Sequence, residues 1–341
     1  MVKTPFTLGY RMPAEWEKHD ATWLAWPKDP DTFPKGIIEI VESIYIRMIE
    51  ALAQGEKVNL LVDDKATEEK VASMLKTSNN VFFHYIKTAD VWIRDYGPIF
   101  VKNRDNIAVT KWIFNSWGNK YESLLKDNES GMTVTKLTDL EIFETKIVLE
   151  GGSIDTNGLG SCITTEQCLL NENRNPKLTK KEIEKHLQGY LGFTNFIWLK
   201  EGLEGDDTDG HVDDIARFVN ENTVICMIEE NQNDENYRVL KENFEILKTA
   251  KDQDGNKINV IPIPMPMRIA IPERRLAASY ANFYIGNSVV LLPIFNDKND
   301  EKVISIFEKL FPDRDIVGIN CEALVYGYGG IHCITQQQPA V

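Results

Sequence analysis

Short, β-branched apolar runs alternate with amphipathic helix signals along the whole chain. That alternation constrains the fold more than any other feature. Val58–Val62, Val81–Ile86, Ala108–Phe114, Ile147–Leu149, Phe196–Leu199, Thr223–Ile228, Ile258–Ile263, Val289–Ile294 and Asp315–Ile319 have the length and residue types of strands. Between them, 37–53, 67–76, 180–191, 236–249 and 301–310 space their apolar residues at helical period. Thr179 followed by Glu182 makes a capping box, and Asn299 or Asp300 is placed to cap the last helix. Strands alternating with helices predict an α/β fold. The unit recurs roughly every 60–70 residues, longer than a simple solenoid repeat. No linker or low-complexity tract interrupts it. One domain over residues 1–341 is therefore expected, although length alone would admit two.

A net charge of −14 disfavours nucleic acid, which needs a positive footprint, and favours small cations. The five cysteines are widely spaced and form no C-x-x-C, so neither a zinc ribbon nor a disulfide framework is expected. The N-terminus carries no apolar signal core and no run is long enough to span a bilayer, so the expectation is a cytoplasmic protein without membrane contact.

Four segments carry chemistry. In Gly327-Tyr-Gly-Gly-Ile-His-Cys333, glycines let the backbone turn tightly and leave the sulfur uncovered. The same run is a near-miss for a dinucleotide fingerprint, but it opens no βαβ unit. His211, one of five histidines, lies among carboxylates in Asp206–Asp214. A presented cysteine and a carboxylate-flanked histidine are the parts of a thiol nucleophile and its acid–base partner. The acidic stretch also reads as a solvated loop or an irregular metal site, though the EF-hand spacing fails. If His211-Val-Asp213 is extended, His211 and Asp213 face one side and Asp214 the other. Arg94-Asp95 runs from a strand-like flank into the Tyr-Gly-Pro turn. It is either a surface ion pair or a cleft carboxylate walled by Trp92 and Tyr96. Glu150, before Gly151-Gly152, is either a solvated turn residue or a carboxylate that polarises a histidine. Cys162, Cys168, Cys226 and Cys321 sit in apolar surroundings and read as structural thiols.

Taken in order, these motifs resemble the agmatine deiminase family, part of a guanidine-modifying superfamily. The resemblance runs through Met12-Pro-Ala-Glu-Trp16, Thr22-Trp-Leu-Ala-Trp-Pro27, Trp92–Pro98, Glu150-Gly-Gly152, Asp209–Asp213, Tyr280-Ala-Asn-Phe283 and Gly329–Gln337. Two positions depart from the family pattern: Tyr328 replaces a glycine and Gly330 an asparagine. The resemblance implies a pentein-type α/β propeller, five ββαβ units with pseudo-fivefold symmetry around a central site. It implies Cys333 as nucleophile, His211 as acid and base, and Glu150 hydrogen-bonded to His211. It also implies Asp95 and Asp213 as a clamp on the guanidinium, with Trp92, Trp26 and Asn282 lining the site. The expected reaction is agmatine plus water to N-carbamoylputrescine and ammonia, through a covalent thiouronium. It requires no metal and no cofactor, its partner is a small cationic guanidino substrate, and a homodimer is allowed.

The alternatives are deimination of free or peptidyl arginine, amidino transfer to an amine, and a metal-dependent hydrolase built on residues 206–214. A non-catalytic guanidine-binding module is the remaining class. Arginine would want a cationic partner for its carboxylate, and Arg11, Arg174, Arg217 and Arg268 are the residues named for that role.

Overall fold

The computed structural model describes residues 3–341. Five sheets follow one another along the chain. The first holds β1 (His19–Ala25), β2 (Lys57–Val62) and β3 (Val81–Tyr85). The second holds β4 (Ile99–Lys102), β5 (Ile107–Ile113) and β6 (Glu141–Val148). The third is β7 (Ile154–Thr156), β8 (Ser161–Thr165) and β9 (Asn195–Leu199), and the fourth β10 (Ala216–Asn220), β11 (Thr223–Ile228) and β12 (Asn259–Pro264). A small hairpin, β13 (Ala270–Ile271) and β14 (Arg274–Arg275), precedes the fifth sheet of β15 (Tyr284–Ile285), β16 (Val289–Ile294) and β17 (Asp315–Asn320). Finally β18 (Gln336–Pro339) returns to pair with β1.

The pairing rule is the same in all five sheets. The first pair is antiparallel (β18–β1, β4–β5, β7–β8, β10–β11, β15–β16). The next is parallel (β1–β2, β5–β6, β8–β9, β11–β12, β16–β17). A parallel pair needs a long crossover. Helices Ile38–Leu52, Asp127–Leu137, Lys180–Leu191, Tyr237–Thr249 and Asp300–Leu310 supply it, one in each sheet, and the first sheet adds a further parallel pair, β2–β3, crossed by the helix Lys65–Met74. This is the ββαβ propeller of the pentein type, with β18 and β1 completing the ring. The central strands β8, β11 and β16 are buried along nearly their whole length, as strands covered on both faces require. No helix among the described residues is long and apolar enough to cross a membrane.

Several sequence expectations need correction. β6 begins at Glu141, not Ile147, because its first half alternates exposed and half-buried residues. The helix Asp127–Leu137 carries Gly131 in its middle, which weakens its sequence signal. A side chain there would meet the carbonyl of Tyr96 at 1.9 Å, so the glycine lets the helix sit directly on the 93–96 turn. The capping box at Thr179 and Glu182 forms. Neither Asn299 nor Asp300 caps its helix in that way; Asp300 instead accepts the backbone N–H groups of Phe295 and Asp297. Arg94-Asp95 is not on a strand flank: Ile93–Tyr96 is a single buried helical turn.

Candidate active site

Cys333 lies three residues before β18, in the turn that follows the glycine run. Its Sγ is 3.3 Å from Asn282 Nδ2 and 3.8 Å from Asp213 Oδ2. A Cβ on Gly330 would fall 2.4 Å from Asn282 Oδ1, so glycine at 330 makes room for Asn282 to reach the sulfur. Arg94 fixes this turn from behind: its N–H donates to the Cys333 carbonyl and its Nε to the His332 carbonyl, both at 3.2 Å.

His211, Asp213 and Asp95 converge on Gly152. A Cβ there would lie 2.6 Å from His211 Nδ1, 2.9 Å from Asp213 Oδ2 and 3.1 Å from Asp95 Oδ1. Glycine is what lets three ionisable groups share the spot. Asp95 is held from two sides, by Gly152 N–H at 3.0 Å and by Trp117 Nε1 at 2.9 Å. Trp117 is aimed there by a left-handed turn, with φ 54° at Ser116 and 51° at Trp117. Four atoms in this region, both His211 ring nitrogens, Asp213 Oδ1 and Glu150 Oε2, are buried with no partner. A buried unpaired polar atom costs about 1–3 kcal/mol, so such a concentration marks a place prepared for a ligand.

The local field is strongly negative. Burial pushes the Cys333 thiol well above its ordinary range, and Asp213, Asp214 and Asp95 push the same way. Burial and then Asp213 and Asp206 raise Asp214 well above the carboxylate range. Burial also raises Asp95, with His211 pulling it back and Asp213 and Glu150 adding repulsion. Asp213 goes the other way: burial would raise it, but the hydrogen bond from His332 and the nearby His211 hold it down. Burial disfavours the His211 cation, yet Asp95 at 3.8 Å, then Cys168 and Asp213, outweigh it and raise His211 well above an ordinary imidazole.

The structure brings Cys333, His211, Asp213, Asp95, Glu150 and Asn282 together, with Trp92 on the cavity wall. It does not bring Trp26, which stacks edge-on against Tyr45 and lines a separate surface pocket. Val212–Asp214 is a 3₁₀ turn, not an extended segment, so His211 and Asp213 meet through the turn and Asp214 does not face away. Asp214 is buried and accepts a 3.0 Å hydrogen bond from Asn282. The expected Glu150–His211 hydrogen bond is absent: Glu150 Oε1 accepts from Arg174 Nε at 2.6 Å.

Glu15 and His332 escaped the sequence reading. His332 bridges Asp213 Oδ2 at 2.7 Å and Glu15 Oε2 at 2.8 Å. The signal for His332 was its place beside Cys333, and for Glu15 its place in the Met12–Trp16 motif, though nothing there tied it to residues so distant in sequence. Asp90 also went unread: buried and raised to about 7 by that burial, it accepts from Trp92 Nε1 and Thr32 Oγ1 and so fixes the tryptophan wall.

Among the described residues, the one cluster with metal-ligand spacing is Glu150, Cys168 and His211. Arg174 occupies one Glu150 oxygen, and a guanidinium beside a ligand opposes a second cation. The acidic loop is internally satisfied. Asp206 accepts from Thr208, Gly210 and His211 N–H groups, Asp207 from the Tyr121 hydroxyl, and Asp209 from Lys120, Asn173 and Arg174. The open space above Cys333 is a cavity of about 170 Å³, walled by Trp92, Trp117, Tyr121, Asp95, Asp207 and Tyr328.

The Porphyromonas-type peptidyl-arginine deiminase family model matches residues 11–339. A relative from Legionella pneumophila is 40% identical, covering 99% of this chain and 97% of that protein. The agmatine deiminase of Medicago truncatula is 37% identical over 99% and 98% of the two chains. The solved agmatine deiminase of Enterococcus faecalis superposes with a TM-score of 0.92 at 32% identity, covering 99% and 98%.

Proposed function

The chain belongs to the Porphyromonas-type peptidyl-arginine deiminase family, in its agmatine deiminase group, and from that premise we propose that it hydrolyses agmatine to N-carbamoylputrescine and ammonia. The observation that carries the reading is the cation-shaped deficit around Cys333. Asp95 and Asp213 face a buried thiol with no positive partner of their own beyond His211 and His332. A planar guanidinium between them supplies the missing charge and donates charge-assisted hydrogen bonds to both carboxylates.

Binding then prepares the chemistry. In the free site burial, and after it the carboxylates, hold the proton on Cys333; a bound cation cancels the carboxylates' field, and the thiol proton leaves to solvent. The thiolate adds to the guanidinium carbon. The raised imidazolium of His211 gives its proton to the departing ammonia, leaving a cationic thiouronium on sulfur. Neutral His211 takes a proton from water as the oxygen adds. Collapse forms the ureido C=O, breaks the C–S bond and returns the hydroxyl proton to sulfur. The ammonia and the proton first lost from the thiol leave together as ammonium.

Agmatine is favoured over arginine by the state of the arginines. Arg11 pairs with Glu17, Arg174 with Glu150 and Asp209, Arg217 with Glu15 and Asp155, and Arg268 with Glu235. None of the four is left to receive an α-carboxylate. The whole chain acts as one catalytic domain in this reading.

The test is a panel of agmatine, arginine and an arginine-containing peptide, scored for ureido product with and without chelator. Agmatine should have the highest kcat/KM, unchanged by chelation. Arginine or peptide equal to agmatine would overturn the substrate assignment, and loss of activity on chelation would move the mechanism to metal.

A further inference from the structure

Ser116, Trp117, Gly118 and Asn119 have φ of 54°, 51°, 92° and 64°, four left-handed residues in a row. Left-handed geometry is uphill for L residues, least so for asparagine, and occurs as single residues rather than runs. Such a run persists only where its surroundings hold it, and such places cluster at functional sites. Asn115 Oδ1 accepts the Gly118 N–H at 2.9 Å, and Asn115 Nδ2 donates to the Asn173 carbonyl at 2.9 Å. Lys120, just beyond the run, donates its N–H to the Ser116 carbonyl at 3.1 Å and its Nζ to Asp209 Oδ1 at 2.9 Å. The Ser116 hydroxyl is buried without a partner, so the run is not built for that side chain. What it places is Trp117. The buried indole sits edge-on against Phe114 and Tyr121, with ring centroids 5.1 and 6.1 Å away. Its Nε1 donates to Asp95 Oδ2 at 2.9 Å, while the Gly152 N–H donates to Oδ1 at 3.0 Å. Trp117 and Asp95 both line the cavity above Cys333.

We infer that Trp117 is the positioning residue of the guanidinium clamp: it holds the Asp95 carboxylate in the orientation that meets the substrate's cation, and the left-handed run is kept to aim it. Asp95 needs such a hold. Burial raises its pKa and Asp213 and Glu150 add to that, while His211 and the Trp117 N–H oppose it. The titratable groups facing it are His211 and Asp213 from the 3₁₀ turn, Glu150 before Gly151, and the Cys333 thiol. Two of these are carboxylates that repel it, and an oxygen without a donor would turn away from them. A charge-assisted N–H bond fixes direction as well as charge. The inference rests on the deiminase reading above and adds the group that orients its clamp.

The test compares wild type with Trp117→Phe and Asn115→Ala on agmatine and n-butylguanidine across pH. Phenylalanine keeps an aromatic wall and removes the N–H; alanine at 115 loosens the run and keeps the indole. Trp117→Phe should lower kcat/KM about tenfold or more, mostly through KM. The loss should be equal for the two substrates, since Asp95 meets the guanidinium they share. The acid limb of kcat/KM should move to higher pH. Without the N–H the ionised carboxylate is less favoured, so Asp95 ionises only at higher pH. Asn115→Ala should move the limb the same way with a smaller loss. A loss confined to agmatine would make Trp117 a wall for the amine end, and an unmoved acid limb in folded Trp117→Phe would make its role structural. Either result overturns the inference and leaves the deiminase reading intact. If Trp117→Phe does not fold, an unmoved limb in Asn115→Ala overturns it alike. Wild type that yields no ureido product from either substrate would overturn the deiminase reading instead.

Discussion

Two buried charge clusters sit side by side at the centre of this protein, and they are built on opposite plans. Around Glu15 every charge has a partner: Arg217 at 2.8 Å, Arg94 at 3.4 Å, His332 at 2.8 Å and the Ile285 N–H at 2.8 Å, with Asp155 taking the other edge of Arg217. Burial alone would raise the Glu15 pKa, yet Arg217, His332 and Arg94 hold it well below the usual carboxylate range. Around Cys333 the carboxylates outnumber the cations, and ring and carboxylate atoms are left unpaired. A balanced cluster fixes the fold; a deficient one waits for charge from outside. His332 joins them, paired with Glu15 on one side and Asp213 on the other.

The sharpest break of this contrast is at the sulfur. Cys333→Ser should lower kcat on the order of a thousandfold or more while substrate still binds and the Tm holds, because an alcohol beside these carboxylates is a poor nucleophile. Substantial turnover in that variant, measured as ureido product, would remove the covalent mechanism.

Next comes the deficient cluster. Asp95→Asn or Asp213→Asn should each cost about 3 kcal/mol in kcat/KM, since a charged hydrogen bond to the bound cation becomes a neutral one. Asp95→Asn should not lower the Tm, because it removes one of several like charges that repel. A large drop in Tm would mean that Asp95 belongs to the balanced kind.

Glu15→Gln should behave in the reverse sense. It strands Arg217 and Arg94 in the interior, and breaking a buried pair costs about 3–5 kcal/mol of stability by denaturant unfolding. Its acid limb sharpens the point. A depressed folded-state pKa contributes stability above the unfolded carboxylate value and loses it as pH falls through the folded one. Glu15→Gln should therefore flatten the loss of stability toward low pH, and an unchanged acid limb would assign that limb elsewhere.

What the sequence revealed follows the same division. Strands that carry no site residue, such as β11, β12, β16 and β17, were legible as apolar runs because packing selects their residues. Strands facing the centre were not. β7, β10 and β18 carry Asp155, Arg217 and Gln337, whose partners lie outside their own sheets, so their polarity disguised them as loops. Cys333, His211, Asp95, Asp213, Glu150 and Asn282 were legible by motif. Asp214 was misplaced because alternation was assumed where a 3₁₀ turn forms. Trp26 was misplaced because a motif fixes sequence and not direction, and Arg174 was assigned no structural role because its partner Glu150 sits far away along the chain.

The return of β18 to β1 has a kinetic meaning. The two strands come from opposite ends of the described chain, and Cys333 is carried on the connection into β18. Contacts so distant in sequence are the slow ones to form, since the entropy of the intervening loop must be lost first. Until that strand docks, its pairing with β1 does not yet hold Cys333 against His211 and Asp213 in their 3₁₀ turn. Closure of the ring and arrival of the nucleophile are one event, so partly folded chains carry the pieces of the catalyst without its reactivity.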